Sequence, residues 1–271
     1  MRSLLVLSLL LPALLRSASC DSASTLHTQA HLEPVAVITL PSELRELSGL
    51  TLLNDSTLGA IQDEEGILYD ISLVTGRVTG RSRFHGAGDF EGIERAGATI
   101  YALQSDGDVF VLDEDRKDAQ KFETPLDSDA DTEGLAFDAA SNSLFIACKE
   151  EPGDGLEDVR AVYAFDLSTN TLGPLPVLIL LLDPDLGLRN FKPSALTYHS
   201  KTGWWLMTSS TTQQLAALDS TGQLVGIWDL PASVLPQPEG LAVLPRGDLL
   251  IGSEGRPARI ARFAFPLPSA P

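Results

Sequence analysis

The sequence is poor in several residue types that would narrow its function. Only 2 cysteines and 4 histidines occur among 271 residues, which excludes a cysteine-rich metal centre and a disulfide scaffold. Basic residues number 19 against 37 acidic ones, and the formal net charge is −18. Because nucleic acids and anionic lipid surfaces are bound through clustered Lys and Arg, neither is an expected partner. The acidity suits cation binding, or serves solubility alone.

Catalytic signatures are also missing from the sequence. It contains no Gly-x-Ser-x-Gly, His-Glu-x-x-His, P-loop or dinucleotide-binding motif. The histidines are scattered: His27 and His31 lie near the N-terminus, whereas His85 and His199 are isolated from each other. These absences favour a binding protein over an enzyme.

No apolar run is long enough to cross a bilayer as a helix. The longest extends from Leu4 to Leu15, follows Arg2, and is itself followed by small residues. This arrangement is typical of an export signal, whose apolar segment is shorter than a membrane span. We therefore predict a signal peptide over residues 1–20.

Cys20 stands where the signal ends, and two kinds of processing are open. Signal peptidase could cut after Ser19, or Cys20 could be acylated and become the N-terminus of a bacterial lipoprotein. We predict the lipoprotein, although Ser17 stands where a lipobox usually has a large aliphatic residue. The protein is then expected in the cell envelope, attached to the membrane through the lipid only. Cys148 is in that case a small buried apolar residue, whereas conventional cleavage would permit a Cys20–Cys148 disulfide.

A repeat organises the rest of the chain. Five segments begin with a small or acidic residue, then Gly or Ala, then an aliphatic strand. The Gly or Ala positions are separated by 43, 42, 61 and 45 residues, at Gly49, Gly92, Gly134, Ala195 and Gly240. Each segment continues with further short apolar runs bounded by Gly, Asp, Asn and Ser, which is the pattern of strands and turns. A period near 43 residues is typical of propeller blades.

Five repeat starts predict an all-β, five-bladed β-propeller over residues 34–266. The stretch from Val35 to Leu40 precedes the first start. It is expected to supply the outer strand of the last blade and so to close the ring, which removes an exposed sheet edge. Residues 21–33 are expected to form a linker and residues 267–271 a C-terminal tail.

The repeat also predicts where polar side chains converge. If each start opens the innermost strand, one residue per blade faces the central channel: Ser48, Glu91, Glu133, Ser194 and Glu239. The residues after each second strand, including Asp63 and Asp106, return to the same mouth. Three inward carboxylates repel one another, so either some stay protonated or a cation compensates them. All-oxygen ligands favour Ca²⁺ over Mg²⁺. Alternatively, these Glu and Ser side chains cap backbone amides of neighbouring blades without a metal.

An acidic run, Asp127 to Glu133, leads into the third repeat. Its Asp-x-Asp-x-Asp spacing resembles the opening of an EF-hand loop, but Thr132 stands where that loop needs Gly. We expect an acidic loop that brings Asp131 to the channel mouth.

Taken together, these motifs resemble the SdiA-regulated domain family. The resemblance rests on four segments in order: Asp89 to Ile93, Thr132 to Leu135, Lys192 to Leu196 and Pro238 to Leu241. It implies a five-bladed propeller, distantly related to NHL-repeat propellers, with a calcium site and no established enzymatic activity. The ligands that it implies are Glu91, Glu133 and Glu239, with Asp63 or Asp106 nearby.

Two functional hypotheses follow from the sequence. The first is a monomeric cell-envelope binding propeller with a calcium site at the channel mouth, whose ligand is an unidentified small molecule or envelope protein. The alternative is a metal-dependent hydrolase, a phosphoesterase or lactonase, that uses the same carboxylates to activate water. The fold by itself does not choose between them.

Overall fold

Two short strands precede the first complete sheet. A computed structural model describes residues 27–150, 156 and 158–265. The strands are β1 (His27–His31) and β2 (Ala36–Thr39), and a 3-10 turn follows at Ser42–Leu44. The predicted signal peptide, Cys20 with its lipidation, and the C-terminal tail lie outside the described residues.

The rest of the described chain folds into five antiparallel sheets, which are the blades. Blade one contains β3 (Leu47–Asn54), β4 (Thr57–Gln62), β5 (Glu65–Ser72) and β6 (Val78–Ala87). Blade two contains β7 (Phe90–Ala96), β8 (Thr99–Gln104), β9 (Val109–Leu112) and β10 (Ala119–Phe122). Blade three contains β11 (Thr132–Asp138), β12 (Ser143–Cys148), β13 (Val159–Asp166), β14 (Thr171–Leu172) and β15 (Leu178–Leu181).

The last two blades follow a second 3-10 turn at Pro184–Leu186. Blade four contains β16 (Ala195–His199), β17 (Trp204–Ser209), β18 (Gln214–Leu218) and β19 (Leu224–Asp229). Blade five contains β20 (Gln237–Val243), β21 (Leu249–Glu254) and β22 (Arg259–Phe263), with β2 as its outer strand.

The ring closes between the two ends of the described chain. Strand β2 pairs antiparallel with β22, with Ile38 opposite Ile260. The first strand of each blade contacts the first strand of the next, in the order β3, β7, β11, β16, β20 and back to β3. The predicted five-bladed propeller, closed by an N-terminal strand, is therefore confirmed.

The glycine of the repeat has a packing role in this ring. A Cβ atom added at Gly92 would lie 2.8 Å from the Cβ of Leu135 in the next blade. One added at Gly134 would lie 2.8 Å from the Cβ of Leu196. Real Cβ atoms do not approach so closely, so Gly lets adjacent inner strands come together around a narrow channel.

The outer edges of blades three and four differ from the simple repeat. Strand β1 pairs in parallel with β19, so the range predicted as a linker, residues 21–33, contains a fifth strand of blade four. In blade three, both β14 and β15 pair with β13, which accounts for the 61-residue interval. These additions lie at the rim and leave the inner ring unchanged.

The core lies mainly between the faces of adjacent blades. One cluster packs Leu58 and Tyr69 of blade one against Leu250 and Ile260 of blade five. Cys148 is a fully buried free thiol, in agreement with its predicted apolar role, and burial raises its pKa to about 12. In the described part of the chain, no helix has the length and hydropathy of a membrane span.

Candidate functional site

The repeat-start residues lie at irregularities of the inner strands. In four blades the pairing between the first and second strands skips one residue, which forms a β-bulge. The skipped residues are Ser48, Glu91, Glu133 and Glu239. In the remaining blade, Ser194 directly precedes β16, and its N–H donates to the carbonyl of Thr208 at 2.9 Å. A bulge redirects the side chain that it leaves unpaired, which explains why the four skipped residues line the channel.

Three carboxylates and one hydroxyl converge on a single small cavity of the channel. Glu91, Glu133, Glu239 and Ser48 all line it, and its volume is about 10 Å³. A cavity of this size accommodates at most one water molecule or a small ion. The structure thus brings together the three glutamates that the sequence predicted to face the channel.

The two serines of the ring stabilise contacts between blades. The hydroxyl of Ser48 donates to the carbonyl of Phe90 in the next blade at 2.6 Å. The hydroxyl of Ser194 donates to the carbonyl of Pro238 at 2.5 Å. Both serines are almost fully buried, so each bond satisfies a carbonyl that water does not reach. Both serines thus bond to the backbone of a neighbouring blade, although through its carbonyl oxygens and not through the backbone amides that were expected.

Glu133 is neutralised by a lysine. Lys149, which follows β12, donates its ammonium to Oε1 of Glu133, and its Nζ lies 3.5 Å from Oδ2 of Asp131. The predicted placement of Asp131 near the mouth is therefore confirmed. Oε2 of Glu133 is buried and has no hydrogen-bond partner within the described residues. Burial raises the pKa of Glu133 to about 7, although the attraction of Lys149 lowers it. Burial opposes the charge of Lys149, but Glu133 and Asp131 raise the pKa of the ammonium above its usual value.

The charge of Glu91 is removed by protonation and not by a basic side chain. Burial, together with the negative charges of Glu133 and Asp89, raises the pKa of Glu91 to about 10. Its carboxyl is therefore neutral at pH 7. A hydrogen bond with the side chain of Asp89 favours the same protonated form.

Glu239 completes the ring of carboxyls. Burial and the charge of Glu133 raise the pKa of Glu239 well above its ordinary value, while Lys149 acts in the opposite direction. Glu254 adds a further repulsion, and a hydrogen bond with Ser210 favours the charged form. The positive charge of Lys149 therefore acts to lower the pKa of two glutamates, Glu133 and Glu239.

The two aspartates predicted as additional ligands lie outside the cavity lining. Oδ1 of Asp63 is buried without a hydrogen-bond partner in the part of the chain that the structure describes. Burial, followed by the charges of Glu46 and Glu64, raises the pKa of Asp63. Asp106 instead supports its own turn, because its Oδ1 accepts from the N–H of Asp108 at 3.2 Å. Asp63 thus remains available to a cation, whereas Asp106 has a local structural role.

The donor atoms suit a hard cation, but a full ligand group is not assembled. Within residues 27–150, 156 and 158–265, no three carboxylate, histidine or cysteine side chains are grouped closely enough to hold a metal ion. Lys149 supplies the positive charge beside Glu133 instead. The unpartnered Oε2 of Glu133 and the unpartnered Oδ1 of Asp63 are oxygen atoms of the type that Ca²⁺ binds. The residues present therefore match a calcium ion in the type of donor atom and in charge, but they do not form a complete ligand group.

Lys149 was expected at the channel mouth among the residues after the second strands, but its pairing with Glu133 was not predicted. A signal was available, because the second strand of each blade ends in a polar cluster at the channel mouth. The clusters are Gln62 to Glu64, Gln104 to Asp106, Lys149 to Glu150, Ser209 to Ser210 and Ser253 to Glu254. Lys149 is the one basic residue among them. A single cation in a ring of acidic and neutral positions indicates an internal counter-charge.

Solved structures similar to this chain share little sequence identity with it. The glutaminyl cyclase of Myxococcus xanthus matches with a TM-score of 0.62 and 15% identity, over 88% of this chain and 97% of that one. A protein of unknown function from Bacteroides thetaiotaomicron matches with a TM-score of 0.53 and 13% identity, over 84% of this chain and 56% of that one. The PQQ-bound aldose sugar dehydrogenase of Streptomyces coelicolor matches with a TM-score of 0.52 and 14% identity, over 86% and 97%. At these identities the likeness concerns the fold alone.

The family comparison extends over nearly the whole chain. A family model described as SdiA-regulated matches residues 21–264. The match includes all five blades and the bulged positions that line the channel. The chain therefore belongs to the SdiA-regulated family.

Proposed function

We propose that this protein is a cell-envelope binding propeller that takes up a Ca²⁺ ion at the acidic mouth of its channel. The observation that carries the proposal is the buried, unpartnered Oε2 of Glu133, which lies in the same cavity as Glu91 and Glu239. An unpaired buried carboxylate oxygen is costly, and a bound cation removes that cost. The physiological ligand is an unidentified small molecule or envelope protein that reaches this mouth.

The residues of this chain would hold the ion through carboxylate oxygens. Glu91, Glu133 and Glu239 line the cavity, and Asp63 carries a further buried, unpartnered carboxylate oxygen outside it. When bound, the ion supplies the positive charge that Lys149 now supplies to Glu133. Lys149 and the cation thus compete for the same carboxylate.

Thermal unfolding in the presence and absence of calcium tests the proposal. A ligand that binds only the folded state at 100 times its Kd stabilises that state by about 2.7 kcal/mol. We expect a higher Tm in excess Ca²⁺ than in chelator, and a smaller difference for Glu133→Gln. Glu64→Gln is the matched control, because the Glu64 side chain is 60% exposed and lies outside the cavity lining. Identical melting curves of the wild type under both conditions would remove calcium from the proposal.

Proton release provides a second test of the same site. Because the pKa of Glu91 is about 10, a cation that binds its carboxylate must displace a proton at pH 7. Calorimetric titration in two buffers of different ionisation enthalpy measures that release. Calcium binding without proton exchange would indicate that Glu91 is not a ligand.

The envelope location is tested through Cys20. We expect a labelled fatty acid to be incorporated into the wild type, and a Cys20→Ser variant to lose the label and enter the soluble fraction. An unlabelled wild type would favour ordinary signal cleavage after Ser19.

One observation favours the hydrolase as a second candidate. A carboxyl whose pKa lies near the working pH is suited to general acid–base catalysis, and the pKa of Glu133 is about 7. A screen of chromogenic phosphate esters and lactones tests this candidate. Turnover that is lost in Glu133→Gln and retained in Glu64→Gln would support it, and a screen without turnover would leave the binding propeller alone.

A further inference from the structure

A second cavity lies on the face of the propeller opposite the carboxylate mouth, between blade five and blade one. It has a volume of about 520 Å³, within the usual range of small-molecule sites. The turn between β20 and β21 forms one side, and the loop after β5 forms the other. The closing strand β2 lies between them, so the cavity exists only because the ring is closed here.

The walls of this cleft are apolar. Leu250 and Ile260 are buried at its base, and the half-buried side chains of Ile38, Leu73 and Leu244 line it. The same five residues belong to the core cluster between blades five and one. The cleft is therefore a place where the apolar core between two blades opens to solvent.

Positive charge stands at the rim of the cleft. Arg246 lies on the turn between β20 and β21 and lines the cavity. Its guanidinium has no hydrogen bond or ion pair with any described residue, in a chain whose net charge is −18. Arg262 also lines the cavity and is paired with Asp248, and Asp55 is the acidic residue of the lining. An unpaired guanidinium beside an apolar wall is a site for an anion that carries an apolar group.

The neighbouring cleft, between blades one and two, provides a comparison. It has a volume of about 430 Å³ and the equivalent position in the fold. There Arg116 is bound to Asp70 at 2.8 Å, and Arg95 donates to the carbonyls of Leu52 and Gly97. Both of its guanidinium groups are therefore already engaged.

Strand register shows what distinguishes the two clefts. Leu250 is opposite Arg262 in blade five, whereas Gly59 is opposite Asp70 at the equivalent place in blade one. Blade five thus has an apolar residue and a cation where blade one has a glycine and an anion. The chemical character of the clefts differs although the backbone is repeated.

We propose that the cleft between blades five and one binds an amphiphilic monoanion, an apolar chain that ends in a carboxylate. The chain lies against Ile38, Leu73 and Leu244, and the carboxylate pairs with Arg246. This site is separate from the carboxylate mouth and does not depend on a cation there.

Calorimetric titration with sodium decanoate, below its micelle concentration, tests the proposal. We expect one site per chain, and at least tenfold weaker binding to Arg246→Gln. Decanol, which has the same chain without the charge, should also bind at least tenfold more weakly to the wild type. Arg246→Lys should retain most of the affinity, since it keeps the charge.

Two controls separate this site from the others. Arg116→Gln alters the neighbouring cleft and Glu133→Gln alters the channel mouth, and both should bind decanoate as the wild type does. Because Arg246 is exposed on a turn, its variants should have wild-type circular dichroism and Tm. The proposal is overturned if decanoate does not bind, if decanol binds equally well, or if Arg246→Gln has unchanged affinity.

Discussion

The serine blades and the glutamate blades use the same position of the repeat in different ways. In blades one and four, the ring position is occupied by Ser48 and Ser194, whose hydroxyls reach the carbonyl of the next blade. In blades two, three and five it is occupied by a glutamate that lines the cavity. A short side chain satisfies the local backbone, whereas a longer one carries its carboxyl beyond the backbone into the channel.

This difference shows how one backbone position can either satisfy the backbone of the next blade or present a carboxyl to the channel. A hydroxyl that donates to a neighbouring carbonyl needs neither a further proton nor a counter-charge. A buried carboxyl needs a proton or a counter-charge, which Glu91 and Glu133 obtain in different ways: the first by a raised pKa, the second from Lys149. We therefore expect the glutamate blades to respond to pH and, under the proposed function, to a cation.

Removal of Lys149 should have the largest effect. Lys149→Met leaves Glu133 buried without its counter-charge. Breaking a fully buried pair costs about 3–5 kcal/mol, and this is an upper limit here because the Lys149 side chain is 28% exposed whereas that of Glu133 is 5% exposed. Urea denaturation at pH 8 measures the loss in the free energy of unfolding. The additional change Glu133→Gln should recover most of it, since the uncompensated charge is then gone. A fully stable Lys149→Met would show that the pair has no net role in folding.

The next largest effect should come from a change of pH, which alters the stability that the glutamate blades contribute. The folded-state pKa of Glu91 is about 10, far above the ordinary value of 4.5. Below pH 4.5 Glu91 is protonated in both the folded and the unfolded state, so its contribution to the free energy of unfolding is fully present. It is lost as the pH rises towards 10, because the unfolded chain is ionised while the folded chain still holds the proton. The upper limit of this slope is about 1.4 kcal/mol per pH unit.

Urea titrations at pH 6, 7.5 and 9 measure that slope. Stability should fall with rising pH in the wild type, and the fall should be smaller in Glu91→Gln, which remains neutral. Glu64→Gln is the control and should retain the wild-type slope. An unchanged slope in Glu91→Gln would mean that this carboxyl is ionised in the folded protein.

Removal of the serine hydroxyls should lower the free energy of unfolding by an amount that does not depend on pH. Ser194→Ala leaves the buried carbonyl of Pro238 without its donor, and an unsatisfied buried group costs about 1–3 kcal/mol. Ser48→Ala should behave in the same way, because Ser48 serves Phe90 equivalently. Chemical denaturation at pH 6 and 9 should give the same loss at both values. A loss that varied with pH would couple the serines to the carboxyl ring.

The smallest effect should come from the other lysine of the mouth. Lys192 binds Glu150, but both side chains are about one-third exposed, at 32% and 36%. Exposed pairs contribute about 1 kcal/mol or less. Lys192→Met, measured by urea denaturation at pH 8, should therefore be nearly as stable as the wild type. A loss as large as that of Lys149→Met would contradict the distinction between the two lysines.

The repeat in the sequence predicted most of the fold. The spacing of Gly49, Gly92, Gly134 and Gly240 identified the inner strands, because close packing around a channel requires glycine there. The convergence of the three glutamates followed from the same spacing. The closing strand β2 was predicted because the last blade lacked an outer strand.

Other features were not predictable because they depend on contacts between distant segments. The pairing of β1 with β19 joins parts of the chain that are nearly 200 residues apart, at His27 and Gly226. The partner of Glu133 lies one strand away, and only the end-to-end pairing of β11 and β12 brings Lys149 beside it. No local sequence signal specifies the first pairing. The basic character of Lys149 among the mouth clusters indicates a counter-charge, but it does not by itself identify Glu133 as the partner.

The sequence by itself determined the number of blades and the position of one polar side chain from each blade at the channel, since both follow from periodicity. The tertiary structure decided how each of those side chains is satisfied. A bulge turns each skipped residue inward. The length of that residue's side chain and the groups around it then decide whether it bonds to backbone, holds a proton or pairs with Lys149. Burial and charge at the channel depend on all five blades together, and no single repeat contains that information.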